Sequence, residues 1–219
     1  MVLYQQRLVS VFNAAIAEGV ITVNPFDLIQ RDERIAKVHP NKDKLCVDEV
    51  EAIARVVPKR ESEAEIQRAF LFACFTGLRI SDIRDLKWSD IKELDGYKAI
   101  IKPQVKTGNL VTVPLCQRAV EYLPVKGNDD KVFHLLSQQG LRLGLMRLIK
   151  ASGVKKSVTF HTSRRTFATL SLASGGELTT VSRLLGHTCI ATTEIYTDVL
   201  MDSKIRAIQG ISDLFKQKP

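Results

Sequence analysis

Long apolar runs are the first feature that this chain of 219 residues lacks. No stretch approaches the ~20 consecutive apolar residues that a membrane-spanning helix needs. The first residues, M-V-L-Y-Q-Q-R, carry no hydrophobic signal-peptide region. These absences argue against a membrane protein and against secretion. With 45% hydrophobic and 26% charged residues, the composition is that of a globular protein with one large domain or two small ones.

Paired cysteines are also missing. The chain has four scattered cysteines and no C-x-x-C pair, the positions being Cys46, Cys74, Cys116 and Cys189. Zinc sites and disulfide frameworks depend on such spacing, so neither is expected, and a reducing cytosol is the simpler environment. No internal repeat and no low-complexity tract is visible.

Acidic residues are absent between Lys131 and Gly176, whereas eight lysines and arginines lie there. Over the whole chain, 32 Lys and Arg against 24 Asp and Glu give a net charge of +8. Such an excess favours a polyanionic partner, most often nucleic acid, although a solvated basic surface explains the charge alone equally well. The side chains predicted to contact DNA are Lys155, Lys156, Arg165, Arg142 and Arg147.

The N-terminal residues predict a small, separate piece of structure. Apolar residues recur at helical spacing over residues 3–18, Gly19 is a plausible helix end, and N-P-F at 24–26 indicates a turn. Residues 30–44 mix charges without periodicity and are interpreted as a linker. One helix cannot enclose a core, so residues 1–29 are either the end of another domain or a helix docked on the main body.

The main body is predicted to begin near Leu45 and to be mostly helical. Apolar periodicity indicates helices at 47–57, at 63–76 (closed by Gly77) and at 80–86. Further candidate helices cover residues 117–122, 138–151, 163–174, 179–185, 189–196 and 203–216.

The spacing changes to that of β-strands in residues 97–115, where β-branched residues flank the turn K-T-G-N. This pattern predicts a small antiparallel sheet of three strands near 97–115 with Lys106 at a hairpin tip. Pro103 suggests an edge strand or the junction of two short strands. The expected fold class is therefore mainly α with one small antiparallel sheet, α+β.

Residues 161–196 concentrate groups that suit chemistry on a phosphodiester. They read H-T-S-R-R-T-F-A-T, then L-L-G-H-T, then I-Y-T. Attack on a phosphodiester needs an in-line nucleophile, fixed donors for the non-bridging oxygens and a proton for the departing oxygen. A tyrosine nucleophile also needs help in losing its proton, because its pKa is ~10. Cationic side chains make a metal unnecessary, so neither metal nor cofactor is expected.

Each candidate group also has a simpler structural interpretation. A tyrosine near a helix end usually packs, and His161 with Arg164 is equally well a pair on one helix face without a catalytic role. A histidine after a glycine is often buried or capping. Arg79 would more simply form a salt bridge with Asp82, and Lys106 would more simply be a solvated surface residue.

Taken together, the motifs resemble the tyrosine recombinases, the phage integrase family. T-G-L-R-x-S-D, a K-T-G hairpin tip, H-x-x-R-x-T-F-A-T, L-L-G-H and a tyrosine nine residues later occur in that order over about residues 45–200. The resemblance implies the catalytic-domain fold of that family for residues 45–219. It also implies that residues 1–29 are the C-terminal remnant of a core-binding (SAM-like) domain, joined by the linker 30–44.

The resemblance further implies a role for each upstream group. Arg79 and Arg164 would hold the non-bridging oxygens of the scissile phosphate. Lys106 would protonate the departing 5′-oxygen. Asp82 would orient an arginine. Arg165 departs from the family, where many members have histidine.

The remaining roles fall on the C-terminal part of the chain. His161 would act as general base or orient the nucleophile, His187 would add a phosphate donor, and Tyr196 would become joined to the 3′-phosphate. A cleaved strand would then be rejoined without ATP, which describes a site-specific DNA recombinase of a bacterium or phage, located in the cytoplasm. The implied partners are double-stranded DNA and other copies of the chain, in a tetrameric synapse.

Two other functions remain open, as does the place of the last helix. A type IB topoisomerase-like enzyme would use the same chemistry to reseal one strand, and an inactive relative would only bind DNA.

The predicted helix 203–216 has one apolar stripe (Ile205, Ile208, Ile211 and Phe215). That stripe would pack either on its own domain or on a neighbouring protomer in trans.

Overall fold

The computed structural model describes residues 2–29, 43–94 and 96–186. The chain divides into two compact units, Met1–Lys42 and Asp43–Pro219. The helices predicted at 189–196 and 203–216 lie outside the described residues. Within the described part, no helix is long and apolar enough to cross a membrane.

In the first unit, helix α1 (Val2–Ala17) confirms the helix predicted at 3–18, and a short 3-10 turn follows at Pro25–Asp27. Buried Asn24 holds the turn in place. Its side-chain Oδ1 accepts a hydrogen bond from the Phe26 backbone at 3.0 Å, and its Nδ2 donates to Asn13 at 2.6 Å. The rings of Phe12 and Phe26 lie 6.0 Å apart and complete this contact.

The second unit contains seven helices and three strands in its described part. In chain order these are α2 (Val47–Ala54), α3 (Glu61–Thr76), α4 (Ile80–Arg84), β1 (Ile91–Leu94), β2 (Tyr97–Pro103), β3 (Leu110–Pro114), α5 (Gln117–Glu121), α6 (Gln138–Ser152), α7 (Phe160–Ala173) and α8 (Leu178–Leu184). The expected class, mainly α with a small antiparallel sheet, is confirmed.

Helix α3 forms the centre of this unit because it is apolar on almost every side. Helices α2, α5, α6 and α7 all pack against it. The ring of Phe70 on α3 meets Phe160 of α7 edge-on at 5.5 Å, and Phe72 meets Phe133 at 5.3 Å. All four aromatic side chains are buried, so the start of α7 is anchored in the core.

The sheet has the order β1-β2-β3 with antiparallel pairing throughout. The predicted number of three strands is confirmed. The predicted range of 97–115 did not include β1, because three of its four residues are exposed and its sequence shows no buried alternation. Strand β2 is central, so the edge-strand interpretation of Pro103 was wrong. Pro103 is tolerated because β1 pairs only as far as Ile100, whereas Pro103 pairs with Leu110 on β3 alone.

Two helix boundaries differ from the predictions by three residues. Helix α2 ends at Ala54, three residues before the predicted end at 57. Helix α7 starts at Phe160, three residues before the predicted start at 163, and the Thr159 backbone N–H donates to Thr162 Oγ1 at 3.0 Å at this end. The earlier start places His161 and Arg164 in the first two turns of the helix.

Candidate active site

Arg79 lies at a sharp junction between α3 and α4. Helix α3 ends at Gly77 in the left-handed conformation, with φ +67. A Cβ at this position would lie 2.5 Å from the Phe167 ring of α7, so both the backbone and the packing require glycine. Two residues later, Arg79 is the N-terminal flanking residue of α4.

The side chain of Arg164 joins three parts of the unit. It is 3% exposed, its Nη1 donates to the Gly77 carbonyl at 2.7 Å, and its Nη2 donates to the Leu185 carbonyl. These bonds connect α7 to the end of α3 and to the end of α8. Carbonyl partners orient the guanidinium but do not neutralise its charge.

The guanidinium of Arg79 has a different environment. Its Nη1 is buried and, among the described residues, has no hydrogen-bond partner. A buried donor without an acceptor is costly unless a ligand supplies one. An anion such as a phosphate oxygen suits this position because guanidinium groups bind it with strong, charge-assisted hydrogen bonds.

Asp82 supports Arg79 through the backbone. Within the described chain no ion pair joins the two side chains. Instead, the fully buried Asp82 carboxylate accepts hydrogen bonds from the Arg79 backbone N–H at 3.3 Å and from the Val105 N–H at 2.8 Å. Asp82 therefore holds the start of α4 against the turn that carries Lys106.

Lys106 lies in the turn between β2 and β3, as predicted, and is exposed. Sequence reasoning missed its neighbour Lys102, which is 2% exposed on β2. Lys102 Nζ lies 2.9 Å from Asp85 and 3.7 Å from Asp90, and this contact lowers the pKa of Asp85. Lys102 is thus a structural cation, whereas Lys106 points its charge toward solvent.

Gln104 is a second residue that sequence reasoning missed. It is 2% exposed, and its Nε2 donates to the Leu185 carbonyl at 3.1 Å. Residues 100 and 102 of β2 and residue 104 just beyond it are buried at alternate positions, and polar residues at such positions were the available signal. Leu185 is followed by Gly186, the last described residue before His187.

His161 is exposed in the first turn of α7, three residues before buried Arg164. The spacing puts both residues on one side of the helix start. His187 and Tyr196 lie outside the described residues. In the described ranges, no group of three or more His, Cys, Asp or Glu is arranged to hold a metal ion.

The predicted DNA contacts do not share one environment. Arg147 donates to Glu63 at 2.7 Å, which lowers the pKa of that glutamate, and Lys156 pairs with Glu49 at 2.7 Å. In contrast, Arg142 and Lys155 are exposed and Arg165 is half-buried. Part of the basic charge is therefore balanced within the protein by acidic residues from α2 and α3.

The sequence of this chain is similar to those of known proteins. The model of the phage integrase family matches residues 44–203. Tyrosine recombinase XerC of Pelobacter propionicus is 30% identical over 197 residues, covering 84% of this chain and 63% of the relative. Tyrosine recombinase XerD of Listeria monocytogenes is 36% identical over 156 residues, covering 65% of this chain and 50% of the relative.

Among solved structures, a lambda integrase dimer (residues 75–356) bound to a COC′ core site superposes with a TM-score of 0.64 at 29% identity. The superposition covers 89% of this chain and 71% of that one. The chain spans 63% and 50% of the length of the two curated relatives. Because the family model covers most of its length, the chain belongs to the phage integrase family.

Proposed function

We propose that this chain carries the catalytic domain of a site-specific DNA recombinase, which cleaves and rejoins strands through a 3′-phosphotyrosine intermediate. One observation carries the proposal: hydrogen bonds join four motifs that are far apart in sequence. Arg164 binds the carbonyls of Gly77 and Leu185, and Asp82 binds the backbone of Arg79 and Val105. Stability alone does not require that two arginines and the turn carrying Lys106 lie around one carboxylate and two carbonyls.

The proposed chemistry follows from the side chains. The Tyr196 oxygen attacks phosphorus as the bond from phosphorus to the 5′-oxygen breaks. The phenolic proton passes to His161, and Lys106 donates a proton to the departing 5′-oxygen. Arg79, Arg164 and His187 stabilise the charge on the non-bridging oxygens. Attack of a 5′-hydroxyl on the phosphotyrosine reverses each step and rejoins the strand.

The proposed partners are double-stranded DNA and other copies of the chain. The lambda integrase dimer is bound to a COC′ core site, and this complex supports the proposal that more than one protomer binds DNA. We extend this to a tetrameric synapse in the bacterial cytoplasm. The segment 203–216 would pack either on its own domain or on a neighbour.

Covalent trapping tests the chemistry. A pool of nicked duplexes with randomised sequence releases a short fragment on cleavage, so the protein–DNA adduct cannot reverse. Wild-type protein should form an adduct that survives denaturing electrophoresis and maps to Tyr196 by mass spectrometry. The matched variant Tyr196→Phe should form none. Equal adduct in both proteins would refute the assignment of the nucleophile.

Strand exchange separates a recombinase from a topoisomerase. Once the cleaved sequence is known, two labelled duplexes carrying it are mixed with the protein. A recombinase joins strands from different duplexes, whereas a topoisomerase-like enzyme only relaxes a supercoiled plasmid. Relaxation without exchange would favour the topoisomerase interpretation, and DNA binding without any adduct would favour an inactive relative.

Salt dependence tests the basic surface. Each phosphate neutralised by the protein steepens the plot of log affinity against log salt by about 0.9. Arg142→Ala should make that slope shallower by about 0.9, the contribution of one phosphate contact. Arg147→Ala should change it less, because Glu63 already pairs with Arg147. A flat plot for the wild-type protein would exclude this face from DNA contact.

A further inference from the structure

Gln104 is buried in a turn whose other residues are exposed. Its relative exposure is 2%, whereas the neighbours at 103 and 105–109 are all exposed. A turn of this kind normally has only its own backbone bonds to hold its shape. The burial of one polar side chain indicates that the turn is tied to something outside itself.

Both ends of the Gln104 amide are engaged. Its Oε1 accepts a hydrogen bond from Thr107 Oγ1 at 2.9 Å, and its Nε2 donates to the Leu185 carbonyl at 3.1 Å. A carbonyl can only accept, which determines the orientation of the amide group. The Gln104 backbone closes the same turn, since its N–H donates to Asn109 and its carbonyl accepts from Gly108.

The residue after Leu185 makes room for this contact. Gly186 has φ +61, and a Cβ there would lie 2.5 Å from the Gln104 amide. Any other residue would push the amide away from the Leu185 carbonyl and would also be strained in its backbone. The glycine of L-L-G-H therefore has a packing reason that involves the lysine turn.

We propose that Gln104 is a positioning residue that fixes the Lys106 turn against the turn at Leu185 and Gly186. The Leu185 carbonyl also accepts from Arg164, so Gln104 sets the distance between the proton donor and the phosphate-binding arginine. Proton transfer needs a heavy-atom distance of about 2.6–3.2 Å, which an untethered turn would hold only part of the time. This inference rests on the proposed function.

A sulfur-bridged substrate isolates that role. The wild-type protein first selects its cleaved sequence from the randomised nicked pool. That sequence is then made with either oxygen or sulfur at the 5′-bridging position. When the bond from phosphorus to sulfur breaks, the thiolate leaves without a proton, because a thiol has a pKa of only ~8.5. A defect in proton donation therefore disappears on the sulfur substrate, and a defect in folding does not.

Four variants are compared with wild type. Gln104→Leu removes both amide bonds, and Thr107→Val removes only the support of Oε1 in an exposed position that tolerates the change. Gln67→Leu is the matched control, because Gln67 Nε2 also bridges elements by donating to the carbonyls of Ile53 at 2.7 Å and Val56 at 2.8 Å. Thermal unfolding checks that each variant is folded, and Lys106→Ala shows the complete loss of the donor.

The expected result is a specific rescue. Gln104→Leu should slow adduct formation on the oxygen substrate by up to about a hundredfold, the loss that a ~1 Å misplacement can cause. On the sulfur substrate its rate should approach that of wild type. Thr107→Val should follow the same pattern more weakly, and the control should match wild type on both substrates.

Two results would overturn the inference. An equal slowing on both substrates would mean that Gln104 supports the fold or phosphate binding in general. If folded Gln104→Leu cleaved the oxygen substrate at the normal rate, the hydrogen bond from Gln104 to the Leu185 carbonyl would be unnecessary for positioning Lys106. A wild-type protein that forms no adduct with any duplex is a different failure, because it removes the proposed function together with this inference.

Discussion

Gly77→Ala is the substitution whose cost the structure defines best. Gly77 ends α3 with φ +67, and a Cβ there would lie 2.5 Å and 2.9 Å from two Phe167 ring atoms and 3.0 Å from Leu185 Cδ2. Phe167 and Leu185 are both buried, so neither side chain can swing into solvent. The substitution must therefore strain the backbone and also overpack the contact of α3 with α7 and α8.

The two costs can be estimated separately. An alanine in the left-handed region costs about 1–2 kcal/mol relative to its preferred conformation. Overpacking a dense core by one methyl group costs about 1–3 kcal/mol more. The expected loss of about 2–5 kcal/mol is large beside the 5–15 kcal/mol that typically stabilises a domain.

Gly153→Ala is the matched control. Gly153 ends α6 in the same way, with φ +76, but a Cβ there meets no atom within 4 Å. This variant should lose only the backbone contribution of about 1–2 kcal/mol. The difference between the two variants therefore measures the overpacking against Phe167 and Leu185.

Urea unfolding followed by circular dichroism measures both losses, with an unchanged slope as the check on two-state behaviour. We expect Gly77→Ala to be less stable than Gly153→Ala by about 1–3 kcal/mol. It should also form less covalent adduct, because the Gly77 carbonyl accepts from Arg164. Equal stability of the two variants would show that the ring moves aside at no cost and would refute the reasoning.

Three further predictions concern polar contacts around the site. Asp85 has a lowered pKa because of Lys102, so its stabilising effect is complete above the usual aspartate pKa and is lost as pH falls through the lowered value. Urea unfolding of Asp85→Asn should therefore differ from wild type at neutral pH and converge with it as pH falls through the lowered pKa; a constant difference would contradict this. Asp82→Ala should cost about 2–4 kcal/mol in the same assay, because it leaves two backbone N–H groups without their acceptor; a neutral result would rule out that support. Thr166→Val keeps the shape of the side chain but leaves the buried Leu45 N–H, which donates to Thr166 Oγ1 at 3.0 Å, without an acceptor. It should cost about 1–3 kcal/mol of stability and speed hydrogen exchange at the Leu45 amide. Unchanged exchange would count against this hydrogen bond.

Periodicity predicted most helices of the second unit because their buried faces are visible in the spacing of apolar residues. The start of α7 was missed because Thr159, Thr162 and Ser163 carry no apolar signal, although Phe160 is buried. Strand β1 was missed for a related reason, since its residues are mostly exposed. Sequence reasoning therefore misses those parts of the fold that depend on tertiary contacts and show no apolar periodicity of their own.

Within the candidate site, the types and order of Arg79, Lys106, His161 and Arg164 were readable in the sequence. Their motifs carry short-range signals: a glycine stop, a hairpin turn and a helix start. A single sequence does not show whether the carboxylate of a motif binds a side chain or the backbone. The interpretation of Asp82 as a partner of the Arg79 side chain shows this limit, because the carboxylate binds backbone N–H groups instead.

The sequence therefore specified which residue types form the candidate site, and tertiary folding decided which contacts hold them. Lys102 and Lys106 are both lysines of one hairpin, yet one is buried between carboxylates and the other is exposed. Gln104 and Leu185 are 81 positions apart and meet only because α8 packs beside β3. Burial and hydrogen bonding depend on neighbours brought together from distant parts of the chain, and only the folded structure identifies those neighbours.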